Sequence, residues 1–162
     1  MIPIDTERLR IRRFRPDDLE SLFQLLSDEA VMRYIEPPYS RQAAAEFLAA
    51  AGLCEPPLVY AVDQRGGGFA GYVIYHPYGE DEMEIGWILR ADKWRRGYGD
   101  ELTKALIRDA AGKARRLVIE CAPQQTVTRK LALRNGFVYC GSRDGCDLYK
   151  RPAVYGAGTP GL

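Results

Sequence analysis

The sequence predicts one α/β domain built on a mixed sheet, with antiparallel hairpins and at least one parallel crossover. Strand and helix patterns follow one another in a mixed order over 162 residues, a length that suits a single domain. Neighbouring strands in the middle and at the end of the chain are separated only by short turns, which favours hairpins. The order excludes a doubly wound sheet, because strands and helices would then alternate regularly.

The first third of the chain predicts a strand followed by helices. "LRIRRF" alternates apolar and basic residues from Leu9 to Phe14, which indicates a strand. The following stretch, "RPDDLESLFQLLSD", has Pro16 near its start and leucines at helical spacing. "EAVMRYI" predicts a short second helix, and "SRQAAAEFLAAAG" predicts a third that is capped by Ser40 and ends at Gly52.

The remaining elements are strands interrupted by two helices. "LVYAVD" and "GFAGYVIYH" predict strands joined by the turn Gly66–Gly68, and "DEMEIGWIL" predicts the next strand. "YGDELTKALIRDAAGK" predicts a helix, "RRLVIECA" a buried strand, and "QTVTRKLALRNG" a short helix. "FVYCGS" and "CDLYKR" predict a closing hairpin across which Cys140 and Cys146 could face each other. We assign residues 1–151 to the domain and the Gly- and Pro-rich segment 152–162 to a flexible tail.

The composition excludes several classes of partner. A formal net charge of +1 gives no reason to expect nucleic acid. No apolar run approaches the roughly 18 residues that span a bilayer, and the charged start has no signal-sequence core, so we expect a cytoplasmic protein without membrane association. The cysteines lack metal-ligand spacing, so no metal is expected; Cys121 is interpreted as a buried core thiol and His76 as a structural or surface residue. The sequence leaves open whether the protein is a monomer or a homodimer.

The segment "RRGYGDEL" predicts a binding site for an anion. It lies between a strand that ends at Leu89 and a helix that starts near Gly97. Helix N-termini carry N–H groups without intrahelical partners and a partial positive charge, which suits a phosphate. Gly97 and Gly99 lack a Cβ and so allow close approach to the main chain. Arg95 and Arg96 add forked donors beside them.

The segment nevertheless matches neither common nucleotide motif. A P-loop requires G-x-x-x-x-G-K-[ST], and a dinucleotide fingerprint requires G-x-G-x-x-G. On this stretch alone, an arginine-rich turn whose glycines serve only backbone geometry is an equal alternative. A second stretch, "PQQTVTRKLALRNGF", starts another short helix after a strand. By itself it is compatible with an ordinary amphipathic helix.

Taken together, these stretches resemble the GNAT superfamily of N-acetyltransferases, in particular its ribosomal-protein acetyltransferase branch of RimJ/RimL type. The resemblance begins with "TERLRIRRFRPDDLESLFQLLSDEAVMRYI", continues through "EIGWILRADKWRRGYGDEL", and ends with "TRKLALRNGF" and "DLYKR". It implies a three-layer fold whose central, mostly antiparallel sheet of about seven strands is flanked by helices. It also implies direct transfer of an acetyl group from acetyl-CoA to a primary amine.

The resemblance implies a binding site for acetyl-CoA. In the family, a Q/R-x-x-G-x-G/A segment wraps the pyrophosphate, and here Trp94–Gly99 takes its place. Trp94 stands where the wider superfamily has Gln or Arg, a substitution usual in this branch. The preceding strand would pair with the pantetheine arm through its main chain. The late helix usually opens with Asn-x-x-Ser in this branch, whereas Gln125 and Thr128 stand at those positions here. The cofactor-binding residues expected on this basis are Trp87, Ile88, Leu89, Arg90, Arg95, Arg96, Gly97, Tyr98, Gly99, Asp100, Gln125 and Thr128.

Two side chains are expected to move protons in this reaction. Glu84, just before Ile-Gly on its strand, resembles the acidic base of this branch, and Glu82 on the same strand face is the alternative. Main-chain N–H groups near Trp87 and Ile88 could hold the developing oxyanion. Thr128, by resemblance to the serine at that place, would protonate the leaving thiolate, and a tyrosine phenol is the alternative.

The acceptor is the least determined part of this interpretation. Acceptors implied by the resemblance include protein N-terminal amines and small-molecule amines, and the sequence does not choose between them. One alternative is a non-catalytic acyl-CoA-binding or interaction module, which the changes at Gln125 and Thr128 favour and Glu84 opposes. Another is a plain α/β domain without a cofactor. The candidates for contact with an acceptor are Arg33, Tyr34, Glu36, Tyr39 and Tyr75.

Overall fold

The computed structural model describes residues 2–113 and 115–153. In this part of the chain, three α-helices follow the first two strands, and two more α-helices alternate with strands later on. The strands are β1 (Ile4–Asp5), β2 (Leu9–Arg12), β3 (Val59–Gln64), β4 (Phe69–Gly79), β5 (Glu82–Leu89), β6 (Arg116–Cys121), β7 (Val138–Arg143) and β8 (Cys146–Arg151). The α-helices are α1 (Leu19–Leu26), α2 (Glu29–Met32), α3 (Arg41–Phe47), α4 (Tyr98–Ala111) and α5 (Thr126–Arg134). Short 3-10 turns at Pro16–Asp18 and Ala91–Lys93 and a π-helical turn at Leu48–Gly52 complete the set.

Within this described part, the strands form one sheet of eight in the order β1-β2-β3-β4-β5-β6-β8-β7. The pairs β1–β2, β2–β3, β3–β4, β6–β8 and β7–β8 are antiparallel, whereas β5 and β6 are parallel and are connected in sequence through α4. The expected mixed sheet with antiparallel hairpins and at least one parallel crossover is therefore confirmed. The expected number of about seven strands was one too low. The missed strand, β1, has only two residues, too few to give an alternating pattern.

The first of two compact units comprises the described residues up to Ile74 together with Trp87–Leu102. Its core consists of apolar side chains from α1–α3 and from β3 and β4. Phe14 lies 6.2 Å from Phe69 and 6.4 Å from Tyr72 between ring centroids, and Phe47 lies 5.6 Å from Tyr72. Helix α3 begins as predicted, because the Ser40 hydroxyl accepts a hydrogen bond from the Ala43 N–H at 3.1 Å.

The second unit comprises Tyr75–Gly86 and the described residues from Thr103 onward. Its buried side chains include consecutive apolar residues of β6, namely Leu117, Val118 and Ile119. Such a run is typical of a strand that is covered on both faces. Helix α5 ends at Arg134 and is followed by Gly136, whose φ of +86° fits the expected stop.

The closing hairpin differs from the expectation in its register. Cys146 pairs with Arg143, and the ladder shifts between Tyr139 and Ser142, so Cys140 does not face Cys146. Both thiols are free. The shift is the kind of bulge that one extra residue produces in one strand of a pair. Of the predicted flexible tail, residues 154–162 lie outside the described residues. No helix in the described part is long and apolar enough to cross a bilayer.

Candidate functional site

In the first unit, the segment predicted to bind an anion forms a tight turn ahead of α4. Arg95 has a φ of +62° and Gly97 a φ of +78°, so two left-handed residues flank Arg96. Helix α4 begins directly afterwards at Tyr98. Consecutive reversals of this kind, followed by a helix N-terminus, direct main-chain N–H groups to one side and favour an anion there. The side chains of Arg95 and Arg96 are exposed, whereas Tyr98 is buried.

The strand that precedes this turn already uses part of its main chain. The Leu89 carbonyl accepts a hydrogen bond from the Trp94 indole N–H at 3.0 Å, and the Arg90 N–H donates to the Ala70 carbonyl at 2.9 Å. The Arg90 guanidinium pairs with Asp92 at 2.9 Å. The Leu89 carbonyl and the Arg90 N–H are therefore already engaged within the protein.

Close packing of β4 against β5 in the first unit requires a glycine. A Cβ at Gly71 would lie 2.1 Å from the Ile88 carbonyl oxygen and 2.9 Å from the Leu89 Cα. No real Cβ approaches backbone atoms this closely, so only glycine is compatible with this geometry. Gly71 thus fixes the position of the β5 segment that the sequence analysis assigned to the cofactor.

In the second unit, Glu84 is held in a partly buried position on β5. Its neighbours Met83 and Ile85 are buried on the opposite face, as the alternation predicted. The Glu84 side chain is 15% exposed, and its Oε1 lies 3.5 Å from His76 Nε2. Within the described residues, the parallel ladder between β5 and β6 ends at the pair of Glu84 with Val118. Glu84 is therefore not a solvated surface carboxylate.

His76 faces Glu84 from β4, a contact that the sequence analysis did not foresee. Its Nδ1 lies 2.7 Å from the Pro77 carbonyl oxygen, which can only accept, so Nδ1 carries a proton. Its Nε2 is then the atom that faces the carboxylate. The hydrogen bond to Glu84 outweighs burial and raises the pKa of His76 above its ordinary value. The two groups therefore form a pair that can share a proton.

Further ionisable groups surround this pair in the second unit. Burial and then repulsion from Glu84 raise the pKa of Glu120. Arg143 donates a hydrogen bond to the Tyr78 hydroxyl and lies 5.1 Å above its ring. Burial, followed by the charge of Glu120, raises the pKa of that phenol. The carboxylate of Glu120, the imidazole of His76 and the phenol of Tyr78, each with a raised pKa, thus belong to one cluster.

Glu82, the alternative base, has a different environment. Its Oε2 lies 3.0 Å from Lys150 Nζ, and its side chain is largely buried. Glu82 thus lies beside an ammonium group, whereas Glu84 lies beside an imidazole, a group that can give or take a proton near neutral pH. The geometry favours Glu84 over Glu82 for proton transfer.

The residues expected at the start of α5 lie on its first turn. Gln125 occupies the position before the helix, and its Oε1 accepts a hydrogen bond from the Ala122 N–H at 2.8 Å. Its side-chain oxygen is thus used to close the preceding turn, which leaves the amide N–H₂ as the group to offer a ligand. Thr128 is half-buried on the same turn. Cys121 is buried, and burial raises its pKa to about 11, so it is a core thiol as expected.

The candidates for acceptor contact separate into two groups. Tyr75 is only 3% exposed, and its hydroxyl donates to Asp109 at 2.6 Å, so it lies in the core and the expectation for it was wrong. Tyr34 is exposed beneath the Arg33 guanidinium, 5.2 Å from its ring centroid. The Tyr39 hydroxyl donates to Glu36 at 2.5 Å. Within the described residues, no group of three or more His, Cys, Asp or Glu side chains is arranged to hold a metal ion.

Comparisons with known proteins match almost the whole described chain. A family model described as "Acetyltransferase (GNAT) domain" matches residues 8–138. The uncharacterized N-acetyltransferase YnaD of Bacillus subtilis (strain 168) is 25% identical over 139 residues, which cover 81% of this chain and 82% of that protein. A solved GNAT-family acetyltransferase from Bacillus anthracis has a TM-score of 0.81 at 25% identity, over 92% of this chain and 96% of that chain. The fold is shared by RimL, a ribosomal L7/L12 α-N-protein acetyltransferase solved with coenzyme A, with a TM-score of 0.77 at 20% identity over 94% of this chain and 97% of that one.

Proposed function

Because the chain belongs to the GNAT acetyltransferase family, we propose that it transfers an acetyl group from acetyl-CoA directly to a primary amine. The family resemblance expected from the sequence is confirmed by the match over residues 8–138. The observation that carries the proposal is the turn at Arg95 and Gly97, whose left-handed residues precede the N-terminus of α4. A protein of the same fold, RimL, binds coenzyme A in its solved structure.

The turn and the start of α4 would hold the pyrophosphate of acetyl-CoA. Main-chain N–H groups from Arg95 to Asp100 would donate to its oxygens, and the exposed guanidinium groups of Arg95 and Arg96 would add charge. The main chain from Trp87 to Arg90 would pair with the pantetheine arm through the polar groups that the bonds of the Leu89 carbonyl and the Arg90 N–H leave available. The amide N–H₂ of Gln125 and the hydroxyl of Thr128 complete the proposed set.

Glu84 would act as the general base, directly or through a water. The attacking amine is protonated at neutral pH and must lose a proton before its lone pair can attack the thioester carbonyl. Glu84 would accept this proton and could share it with His76 Nε2, which lies 3.5 Å from the Glu84 Oε1. Main-chain N–H groups near Trp87 and Ile88 would hold the oxyanion. As the C–S bond breaks, Thr128 or a tyrosine phenol would protonate the departing thiolate.

The acceptor is proposed only as a primary amine. RimL is named for a protein N-terminal substrate, and a small-molecule amine is the other possibility for this chain. The second candidate function is a non-catalytic acyl-CoA-binding or interaction module. The bond from the Ala122 N–H to the Gln125 side chain favours it, because that oxygen is withheld from the reaction.

Turnover by Glu84→Gln separates these two functions. Acetylation of a panel of N-terminal peptides and small amines would be followed by mass spectrometry, with acetyl-CoA binding measured by calorimetry. The enzyme predicts a loss of about 10²–10⁴-fold in kcat for Glu84→Gln, with acetyl-CoA affinity unchanged. Glu80→Gln, at an exposed position outside β5, is the matched control and should leave kcat unchanged. A wild-type protein that binds acetyl-CoA but acetylates no amine would instead support the module.

A further inference from the structure

Arg8, just before β2, connects the N-terminal segment of the first unit to the turn ahead of α4. Its Nη1 donates to the Arg96 carbonyl oxygen at 2.7 Å, across 88 positions in sequence. Its guanidinium carbon lies 4.6 Å from the centroid of the Tyr98 ring. Its Nη2 would lie 3.4 Å from a Cβ at Gly97. One side chain thus contacts Arg96 and Tyr98 and lies beside the Gly97 between them.

A carboxylate on the first turn of α4 fixes the orientation of Arg8. Glu101 Oε1 accepts from Arg8 Nε at 2.7 Å, and Glu101 Oε2 accepts from the Arg8 main-chain N–H at 2.9 Å. The Thr6 hydroxyl donates to the same Oε2 at 2.5 Å. Burial alone would raise the pKa of Glu101, but these hydrogen bonds outweigh it and hold the pKa below its ordinary value. Glu101 therefore stays charged at neutral pH and keeps the guanidinium over the turn.

The turn needs such a support because its backbone is strained. Arg95 is not a glycine, yet it has a φ of +62°. A left-handed conformation is unfavourable for a residue with a side chain, and it persists only where surrounding contacts favour it. Arg8 supplies a contact at the residue between the two left-handed positions, through the carbonyl of Arg96.

The same hydrogen bond sets the direction of a main-chain donor. In a planar trans peptide, the C=O and the following N–H point in opposite directions. Because the Arg96 carbonyl points toward Arg8, the Gly97 N–H points away from it. We propose that Arg8, held by Glu101, is a positioning residue that keeps the Arg95–Tyr98 turn in the shape that receives the pyrophosphate of acetyl-CoA.

This inference rests on the proposed function and assigns Arg8 no direct contact with the reacting atoms. A purely structural ion pair is the alternative role. The Arg8 side chain is 43% exposed, and without it Glu101, whose side chain is 16% exposed, would still accept hydrogen bonds from the Thr6 hydroxyl and the main-chain N–H of residue 8. Loss of Arg8 should therefore affect binding of the pyrophosphate more than it affects folding. Lysine should not replace it, because one ammonium group cannot form the planar fork that reaches both Arg96 and Glu101.

The experiment compares two acetyl donors in Arg8→Gln and Arg8→Lys. Acetyl-CoA carries the pyrophosphate, whereas S-acetyl-pantetheine has the same thioester arm without any phosphate. We expect KM for acetyl-CoA to rise about tenfold, with kcat and the KM for S-acetyl-pantetheine within about twofold of wild type. Calorimetric titration with CoA should show the same tenfold loss without reference to turnover. Arg10→Gln, which removes an exposed arginine paired with Asp5 at 3.4 Å, is the matched control.

The outcomes distinguish the positioning role from the proposed function. Equal losses on both acetyl donors, or no loss on either, would overturn the role of Arg8 while leaving the acetyltransferase intact. Failure of the folded wild type to bind CoA would overturn both. If Arg8→Gln does not fold, Glu101→Gln replaces it, because this change keeps the size of the side chain and weakens the bonds that hold Arg8 and the Thr6 hydroxyl. It should also raise KM selectively for acetyl-CoA.

Discussion

Replacing Arg12 with methionine would leave two carboxylates of the first unit without their counterion. Arg12 donates to both oxygens of Asp18 at 2.9 Å and to Asp63 Oδ2 at 2.6 Å. Asp18 also accepts the main-chain N–H of Arg15 at 2.7 Å and so closes the turn that precedes α1. Methionine matches the length of the arginine stem but offers no donor. The substitution therefore removes the charge without opening a large cavity.

The expected cost follows from the exposure of the two carboxylates. Removing one partner of a buried ion pair costs about 3–5 kcal/mol, because the remaining charge stays buried. The Asp18 side chain is 8% exposed and that of Asp63 is 28% exposed, so solvent screens mainly Asp63. We expect the free energy of unfolding to fall by about 3 kcal/mol. For a chain of this size, that corresponds to a fall in Tm of roughly 6–12 °C.

The loss of stability in Arg12→Met should depend on pH in a definite direction. Burial pushes the pKa of Asp18 up, but hydrogen bonds from Arg12 and Arg15 outweigh it and lower the pKa below 3.8. In the wild type, this stabilisation is present above pH 3.8 and is lost as pH falls through the folded-state pKa. In Arg12→Met, burial is opposed only by the Arg15 contacts. The loss of unfolding free energy in Arg12→Met should therefore be largest at pH 7 and should shrink toward pH 4.

Urea unfolding of both proteins at pH 7 and pH 4 measures this difference. Arg10→Met is the control, because Arg10 and Asp5 are each 48% exposed, and its effect should stay within about 0.5 kcal/mol. The double variant Arg12→Met/Asp18→Asn should recover part of the loss, because it removes the buried charge. A loss below about 1 kcal/mol, or one equal to that of the control, would refute the assignment of a buried network.

Two further predictions concern β4. Gly71→Ala should lower the free energy of unfolding by at least about 3 kcal/mol, because its Cβ would overlap the Ile88 carbonyl. Gly68→Ala places its Cβ in open space and should cost far less. Similar urea midpoints for the two variants would contradict this. His76→Gln should lose stability mainly below pH 6.5, since the raised pKa of His76 stabilises the protein there and the effect is lost as pH rises through the folded-state pKa. Urea midpoints at pH 5.5 and 8.5 check it, and a larger loss at pH 8.5 would contradict the pairing with Glu84.

Local patterns predicted most of the elements but not their contacts across the sheet. Alternation on β5 correctly put Glu84 opposite the buried face of Met83 and Ile85. It did not reveal that His76 faces Glu84. Which residue of β4 lies opposite Glu84 on the adjacent strand β5 depends on the register of the two strands, which a single sequence does not state. The same limit explains the error for Tyr75. A tyrosine on a strand can face solvent or the core. The hydrogen-bond partner of Tyr75, Asp109, lies on a helix far along the chain.

The turn ahead of α4 could be predicted from the sequence only in part. Its glycines and its position before a helix predicted an anion site with the correct helix start to within one residue. The left-handed φ of Arg95 was not predictable, because a residue with a side chain rarely adopts it. Its support comes from Arg8, 88 positions before Arg96. Such long-range support has no local signature in composition or periodicity.

Calorimetric titration with acetyl-CoA tests the central claim most directly. Gly97→Glu would place a side chain and a negative charge at the proposed pyrophosphate site, whereas Gly66→Glu makes the same change at a φ of +74° in the β3–β4 turn. The two variants therefore share a similar backbone strain, but a Cβ at Gly97 lies 3.4 Å from Arg8 Nη2 whereas one at Gly66 meets open space. We expect binding by the wild type and by Gly66→Glu, and none by Gly97→Glu. Absence of binding by the folded wild type, or equal binding by Gly97→Glu, would contradict it.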